Sequence, residues 1–338
     1  MKKSFILRWT FFIGSVIVLP FIFEHILSIS VESLLQTGFF IMLSVSLVLL
    51  VGFAGQISLG HAAFFGVGAY TAAIVATKLV LSPLLSIPVG TMVGALIGLF
   101  VGYPVLKLKS FYLSLATLVI GIAVYEFFKA ADPLTGGEIG IYDLPNIRLG
   151  NLEIASPLTR YYTVWTCALF IIFLCDRLSH SPFGQRLRAI HSDEQAAECV
   201  GIDVFKTKLK IFIFSVTIAA FAGALFAHCS YGSIEPGEFS VTLSIKVITM
   251  VVVGGMYSVY GAVTGAVIIG LLPEIIRNLG SFAAMDLTQI THIQDALFGV
   301  ILVIFIIFSP EGILSQRKER TDVTGKKCLL SIRGIESP

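Results

Sequence analysis

The sequence is short of charge. Only 13% of its 338 residues are Asp, Glu, Lys or Arg, whereas 56% are hydrophobic. A typical soluble domain has roughly 25% charged and about 45–50% apolar residues, and it needs a polar surface to face water. The composition therefore argues against a soluble enzyme and favours a protein that crosses a membrane many times.

Cysteine pairs and metal-ligand spacings are also missing. No C-x-x-C pair and no histidine at ligand spacing accompanies the scattered cysteines, which are Cys167, Cys175, Cys199, Cys229 and Cys328. This pattern supports neither a disulfide framework nor a zinc site. No Ser/His/Asp or Cys/His set can be assembled at helical spacing either. We therefore expect no catalytic residue, no metal and no cofactor.

Two features that would let the chain power transport by itself are absent. There is no G-x-x-x-x-G-K-[ST] phosphate loop, since the glycines at 52–60 lack the lysine. Nearly all acidic residues lie near span ends or in loops, although a proton-coupled carrier would need several inside its spans. Lys246 does lie deep in a span, and an ionisable residue there is a functional candidate. The energy for any transport is expected to come from another protein.

Apolar runs long enough to cross a bilayer are abundant. A transmembrane helix needs about 20 mostly apolar residues, and about ten runs qualify, near 6–27, 33–53, 61–77, 84–103, 110–130, 160–178, 209–229, 241–256, 259–278 and 292–309. The third and eighth are short, which suits a broken or tilted helix. No small-x-small cleavage site follows the first, so we interpret it as a membrane helix rather than a signal peptide.

The distribution of positive charge predicts the orientation. With the N-terminus inside, seventeen Lys and Arg residues fall on the cytoplasmic side and five outside, as the positive-inside rule requires. We expect an all-α polytopic membrane protein with both termini in the cytoplasm. Residues 1–316 would form one transmembrane domain, with an outer loop at about 131–159 and a charged cytoplasmic segment at about 181–206. Residues 317–338 would form a flexible basic tail.

Two clusters of glycine interrupt the apolar runs. VGFAGQISLGHAAFFGVGAY begins at Val51, and VVGGMYSVYGAVTG begins at Val252. Irregular backbone at membrane depth is tolerated only where protein or a water-filled cavity surrounds it, so we predict broken helices near 52–60 and 254–261. Paired interruptions point to a transport pathway. The candidate pathway residues are Gly55, Gln56, Ser58, Gly60, His61, Phe64, Gly254 and Gly255.

Purely structural interpretations of these residues remain open. Glycine is common in membrane helices for packing alone, and the spacing of Gly66 and Gly68 suits close helix contact. A histidine such as His61 is more often a hydrogen-bonded structural side chain than a substrate ligand.

The cytoplasmic segment SPFGQRLRAIHSDEQAAECVGI predicts two short helices. Pro182 suits the first turn of one, Asp193 and Glu194 begin the next, and Gly201 is well placed to end it. The segment is either a solvated helical hairpin or a docking surface for a cytoplasmic partner.

Here the sequence resembles a known family. E-x-A-A followed by glycine is similar to the cytoplasmic coupling loop of ABC importer permeases, and GQISLGHAAFFGVGAY resembles the pattern GQ-x-S-x-GHA-x-F-x-G-x-GAY of LivM-type branched-chain amino acid permeases. LTGGEIGI in the outer loop looks like the family's TGG-x-x-G segment. The resemblance covers residues 34 to 312. It implies that the ATPase-coupling residues are Gly184, Arg188, Glu194, Ala196, Ala197 and Gly201.

The resemblance also implies partners and a location. They are a LivH-type sister permease, two cytoplasmic ABC ATPase subunits and an extracytoplasmic binding protein that delivers Leu, Ile or Val, all at a bacterial cytoplasmic membrane and without nucleic acid. The outer loop departs from the family pattern at 140–145, where it reads GIYDLP. Urea or short-chain amides therefore stay open as cargo. A secondary transporter or channel that works alone is the alternative from another class.

Overall fold

The computed structural model describes residues 30–108, 110–149, 152–230, 232–282, 296–301 and 303–305, with single positions 14, 16, 20, 307, 312 and 313. The basic tail expected at 317–338 lies outside the described residues. So does the first expected span, 6–27, apart from three positions, and the last, 292–309, is described only in part.

This part of the chain is almost entirely helical, which confirms the all-α membrane class. The helices are α1 Val31–Val48, α2 His61–Thr77, α3 Pro83–Val105, α4 Ser110–Ala130, α5 Asp132–Thr135, α6 Pro157–Ser179, α7 Pro182–Ser192, α8 Glu194–Cys199, α9 Val204–Cys229, α10 Val241–Gly254 and α11 Val259–Phe282. A π-turn, Leu49–Phe53, extends α1, and a 3-10 turn, Pro236–Phe239, precedes α10. Strands β1 Arg148–Leu149 and β2 Leu152–Glu153 form a small antiparallel hairpin, with Arg148 opposite Glu153.

Six of the described helices are long and apolar enough to cross a membrane. They are Val31–Phe53, Pro83–Val105, Phe111–Ala130, Pro157–Ser179, Val204–Cys229 and Val259–Arg277. His61–Thr77 and Val241–Gly254, the two runs expected to be short, form apolar helices of 17 and 14 residues. The expectation of ten spans with both ends inside stays a prediction.

Local sequence signals set several helix starts. Ser30 begins α1 and Ser156 begins α6, and each hydroxyl accepts a hydrogen bond from the backbone N–H three residues later, at 3.3 and 3.2 Å. These bonds satisfy N–H groups that have no partner within the helix. Proline occupies the first position of α3, α6 and α7, where its missing N–H costs nothing.

Helices α1 and α9 lie at the centre of the bundle, and α3 and α4 lie at its edge. Most of α1 and α9 is buried, whereas α3 and α4 present large apolar side chains outward. Met92, Phe100 and Val119 are 66%, 76% and 62% exposed. Such a surface suits lipid contact, because the bilayer core is as apolar as these side chains.

A stripe of glycines joins α3 to α9. Every fourth residue of α3 is a buried glycine facing α9, and a Cβ at each would crowd one α9 side chain. The pairs are Gly90 with Ala224, Gly94 with Ala220, Gly98 with Val216, and Gly102 with Phe212. The two helices are therefore antiparallel and approach as closely as small residues allow.

The outer loop folds back on the chain between α9 and α10. Ile141 and Ile234 form an antiparallel β-bridge with N–H···O distances of 3.0 Å. Gly136 and Gly140 have φ of +77° and +87°, a conformation that glycine adopts without strain. The loop is thereby fixed at the end of the bundle where α10 begins.

Candidate translocation and coupling site

The first interruption starts in the π-turn of α1. Residues 55–60 leave helical geometry, and Gly55 has a φ of +66°. Side-chain hydroxyls of neighbouring helices accept hydrogen bonds from backbone N–H groups at the break. The N–H groups of Leu59 and Ala62 donate to Thr117 Oγ1 of α4 and Ser244 Oγ of α10, at 3.0 and 3.2 Å. The break predicted at 52–60 is present, and protein surrounds it, as irregular backbone at membrane depth requires.

The second interruption is narrower than the predicted range 254–261. Helix α10 ends at Gly254 and α11 begins at Val259. Gly255 has a φ of +125°, and the Ser258 hydroxyl accepts from the N–H of Gly261 at 3.3 Å, which caps α11. Residues 259–261 therefore already belong to a helix.

The two interruptions touch each other. A Cβ added at Gly52 would overlap the carbonyl oxygen of Met256, which lies between α10 and α11. Only a residue without a side chain allows this backbone contact. Both breaks therefore lie at the same end of the bundle. We call their contact, between Gly52 and the Met256 carbonyl, the joint.

Three side chains at the first break carry buried polar atoms that have no hydrogen-bond partner in the part of the chain that the structure describes. Gln56 and Ser58 are each 2% exposed and His61 is fully buried. The amide of Gln56, the hydroxyl of Ser58 and Nδ1 of His61 make no hydrogen bond within the described part of the chain. Buried polar groups without partners are rare and costly in folded proteins. These groups therefore have unused capacity for a ligand, water or partner chain.

Hydrogen-bond geometry assigns the tautomer of His61. The Ser215 hydroxyl donates its one hydrogen to the carbonyl oxygen of Ser46 at 2.6 Å. It must therefore accept from Nε2 of His61, 3.0 Å away. The ring proton sits on Nε2, and Nδ1 is an acceptor. His61 thus has a structural bond that joins α2, α9 and α1, together with one free lone pair.

Replacing Ser215 by alanine is expected to lower the free energy of unfolding by about 1–3 kcal/mol, because it leaves the buried Nε2–H of His61 without an acceptor and removes the bond to the Ser46 carbonyl. Thr217→Ala is the matched control, since Thr217 lies on the same helix and donates only to the carbonyl of Ile213 on its own helix. Denaturation of both purified variants measures the difference. Equal stability would contradict the structural role of the bond.

Two of the candidate pathway residues pack against other helices. Phe64 is 2% exposed and lies edge to face against Phe212 of α9, with ring centroids 6.0 Å apart. A Cβ at Gly60 would come within 2.8 Å of the carbonyl oxygen of Thr117. Phe64 therefore packs between helices in this structure, and Gly60 allows close contact with α4; the place of both residues on the passage stays a prediction.

The cytoplasmic segment forms the two helices that its sequence predicts. Pro182 begins α7, and Gly201, with a φ of +84°, follows the end of α8. Asp193 ends α7 and caps α8, accepting from the N–H groups of Gln195 and Ala196 at 2.9 and 3.1 Å. Gly184 is buried, and a Cβ there would overlap the Ser179 carbonyl at the end of α6.

The exposed face of α8 differs from the expected one. Ala197 is 3% exposed and packs with Ile190 and Val204 in a small apolar cluster. Glu194 forms an ion pair with Lys208 of α9, although its side chain stays 57% exposed. Of the expected face, only Ala197 is therefore buried against its own chain. Ala196 and Val200 are exposed as well, and Val200 reaches 76%.

Helix α7 contacts both interruptions. The Arg188 guanidinium lies 5.6 Å from the ring centroid of Phe53 in the π-turn. A Cβ at Gly55 would lie 2.5 Å from Nδ1 of His191. The His191 ring is also 5.9 Å from the ring of Tyr257 in the second break. His191 and Tyr257 were not among the sequence candidates, since no spacing along the chain relates position 191 to 55 and 257.

Most of the chain is similar to known transport permeases. A family model described as "Branched-chain amino acid transport system / permease component" matches residues 29–306. The high-affinity branched-chain amino acid transport system permease protein LivM of Salmonella typhimurium is 29% identical over 84% of this chain and 70% of its own length. The LivH permease protein of Escherichia coli is 23% identical over 81% and 91%. The fructose import permease protein FrcC of Rhizobium meliloti is 30% identical over 59% and 57%. No solved structure matches.

Proposed function

The chain belongs to the family of branched-chain amino acid transport permeases, and from this premise we propose that it is the membrane-spanning subunit of an ABC importer for Leu, Ile and Val. A binding protein outside the membrane delivers the amino acid. Separate ATPase subunits supply the energy, and a LivH-type sister permease completes the passage.

The observation that carries this proposal is the junction of α7 with the two broken helices. Arg188 contacts the first break through Phe53, and His191 contacts Gly55 and Tyr257, one from each break. A displacement of α7 must therefore move or reshape both breaks. This is the connection that an importer needs between an ATPase docked on the cytoplasmic face and a passage inside the membrane.

The unpartnered polar groups of the first break suit the lining of that passage. Gln56, Ser58 and Nδ1 of His61 are buried without partners among the described residues of this subunit. We propose that they face the passage or the sister permease once the breaks shift. The exposed surface of α8 around Ala196 and Val200 docks an ATPase, and the outer loop receives the binding protein.

Uptake competition tests the cargo. Cells that lack their own branched-chain importers receive this chain with its sister, ATPases and binding protein, and radiolabelled leucine uptake is measured. Unlabelled leucine, isoleucine and valine are expected to compete, whereas urea and fructose are not. Fructose is included because of the similarity to FrcC. Competition by urea or fructose alone would overturn the proposed cargo while leaving the importer class intact.

The orientation predicts a labelling pattern. Ala155 and Cys199 are both exposed, in the outer loop and in α8. In a background without Cys167 and Cys328, Ala155→Cys should react with a membrane-impermeant maleimide on intact cells. Native Cys199 should react only after permeabilisation. Cys199→Ser serves as the control for the second signal. The reverse pattern would reject the orientation and the docking surface with it.

A further inference from the structure

The loop that joins α2 to α3 carries aliphatic side chains that its own chain leaves uncovered. Helix α2 ends at Thr77 and α3 begins at Pro83. Between them, Leu79, Val80 and Leu81 are 64%, 83% and 39% exposed. The loop lies at the end of the bundle opposite to α7, since α2 starts at the first break and leads away from it. Such a cluster of exposed aliphatic residues either faces lipid or contacts another protein.

The loop extends past the hydrocarbon of a bilayer that surrounds α3. Near the opposite end of α3, Lys107 Nζ lies 4.4 Å from the ring centroid of Tyr103, and tyrosine and lysine side chains are typical of the boundary between lipid and water. Pro83 is twenty residues from Tyr103 along the helix, or about 30 Å, which is the thickness of the hydrocarbon core. Lipid tails therefore cannot cover the aliphatic side chains that precede Pro83.

The backbone of this loop is strained at its most exposed residue. Val80 has a φ of +51°, in the left-handed region that a β-branched residue rarely adopts. Among the described residues, all others with a positive φ are glycines except Asp143, and aspartate tolerates this conformation. The chain therefore has a valine where glycine is the usual residue after a helix. Strained positions of this kind cluster at functional sites.

Contacts within the chain hold the loop in place without using the side chain of Val80. The N–H of Leu81 donates to the Val75 carbonyl at 3.3 Å, and Lys78 Nζ donates to the carbonyl of Pro133 in the outer loop. These two bonds fix the chain on both sides of Val80. Because its side chain is 83% exposed, packing within the described chain offsets little of the strain. A contact with another molecule would offset more.

We propose that Leu79, Val80 and Leu81 form a docking patch for the extracytoplasmic binding protein. Contact with that protein removes the three side chains from water, and the strained backbone presents them already ordered, which lowers the entropic cost of binding. Lys78 joins the patch to the outer loop at Pro133, so one partner can contact both. This inference rests on the proposed function for the orientation and the partner, and it adds the residues that the partner contacts.

Photo-crosslinking tests the contact while leaving Val80 in place. The complex of this chain, its sister and the ATPases is reconstituted in nanodiscs of phosphatidylethanolamine and phosphatidylglycerol, carries Leu79→p-benzoylphenylalanine, and is illuminated with leucine-loaded binding protein. An adduct of this chain with the binding protein is expected. The same substitution at Leu108, which is 46% exposed in the turn at the other end of α3, should give none. No adduct at position 79, or an adduct with lipid alone, would overturn the proposal.

Two substitutions separate the contact from the strain. Val80→Gly removes both the side chain and the strain, so the Tm of the complex should be at least that of wild type, while the Kd for loaded binding protein rises about fivefold or more, as at an interface hot spot. Val80→Asn tolerates the left-handed backbone and should weaken binding similarly. Leu108→Asn is the control and should bind like wild type. Wild-type affinity in both Val80 variants, or a lower Tm in Val80→Gly, would contradict the proposal.

The wild-type complex separates this inference from the proposed function. If leucine-loaded binding protein neither binds it nor stimulates its ATP hydrolysis, the proposed function itself fails. If the loaded protein binds the wild type and both Val80 variants with equal affinity, and gives no adduct at position 79, the docking patch is rejected and the importer assignment stands.

Discussion

Alanine at Gly52 is expected to reduce leucine uptake at least about tenfold while the protein still inserts into the membrane. The new Cβ would overlap the carbonyl oxygen of Met256, and backbone cannot move aside as a flexible side chain can. Overpacking of a tight contact costs typically about 1–3 kcal/mol. The two breaks would have to separate, and the joint on which α7 acts would open. Uptake and membrane abundance, measured together, test this.

The matched control is Gly121→Ala. Gly121 also lies in a membrane helix near the first break, but its added Cβ would be 3.6 Å from the Leu59 carbonyl oxygen, an ordinary contact. It should leave uptake within about twofold of wild type, since substitutions that disturb no packing usually change stability by under about 0.5 kcal/mol. Normal uptake by Gly52→Ala would show that the contact between the breaks is not needed.

Aspartate at Val200 is expected to abolish binding of the ATPase subunits. Val200 follows the last residue of α8 and is 76% exposed, and a docked partner would bury it. An unpaired charge in such an interface costs about 2–5 kcal/mol, or roughly 30-fold to several thousandfold in affinity. The ATPases should no longer co-purify, and loaded binding protein should no longer stimulate hydrolysis.

Ile139→Asp is the control, because Ile139 is 71% exposed in the outer loop. It makes the same chemical change and should not affect ATPase co-purification. Gly201 is a poorer test site than Val200, since its φ of +84° would strain any other residue. Retention of the ATPases by Val200→Asp would leave α7 and α8 as a solvated hairpin.

Much of the architecture follows from short-range rules that the sequence displays. The apolar stretches at 33–53 and 84–103 correspond to helices at 31–53 and 83–105, because bilayer thickness fixes the length of a spanning helix. Pro182 and Asp193 mark the starts of α7 and α8, because capping depends on neighbouring residues alone. The glycines near 52 and 254 also mark both interruptions, since the backbone takes positive φ values at Gly55 and Gly255.

Packing partners could not be predicted in this way. Ala196 and Ala197 are adjacent in a small-residue motif, yet only Ala197 contacts Ile190 and Val204. Phe64 follows the break, and nothing in its position along the chain predicts its contact with Phe212 on a helix far away in the sequence. Which face of a helix is buried depends on elements far away in the sequence.

A cavity at the end of the bundle where α10 begins, lined by Phe226, Glu238 and Lys246, shows the same limit. Lys246 stood out because it is ionisable within a span, whereas Glu238 looked like an ordinary loop carboxyl. Only the tertiary fold brings both to one cavity with Phe226. The glycine stripe of α3 is different, since its four-residue period is visible in the sequence, although the helix that fills it is not.

The glycine stripe of α3 also has a consequence for the movement of the protein within the lipid bilayer. A side chain of α9 packs against each of these glycines of α3. The interlocking side chains would oppose a shift of one helix along the other by less than one turn. Helix α9 begins at Val204, inside the apolar cluster that holds α8. A movement of α9 would therefore displace α3 with it, and the two helices would move as one rigid body. The outward side chains of α3, such as Phe100, would then sweep through lipid. Bilayer viscosity would act as friction on each transport cycle.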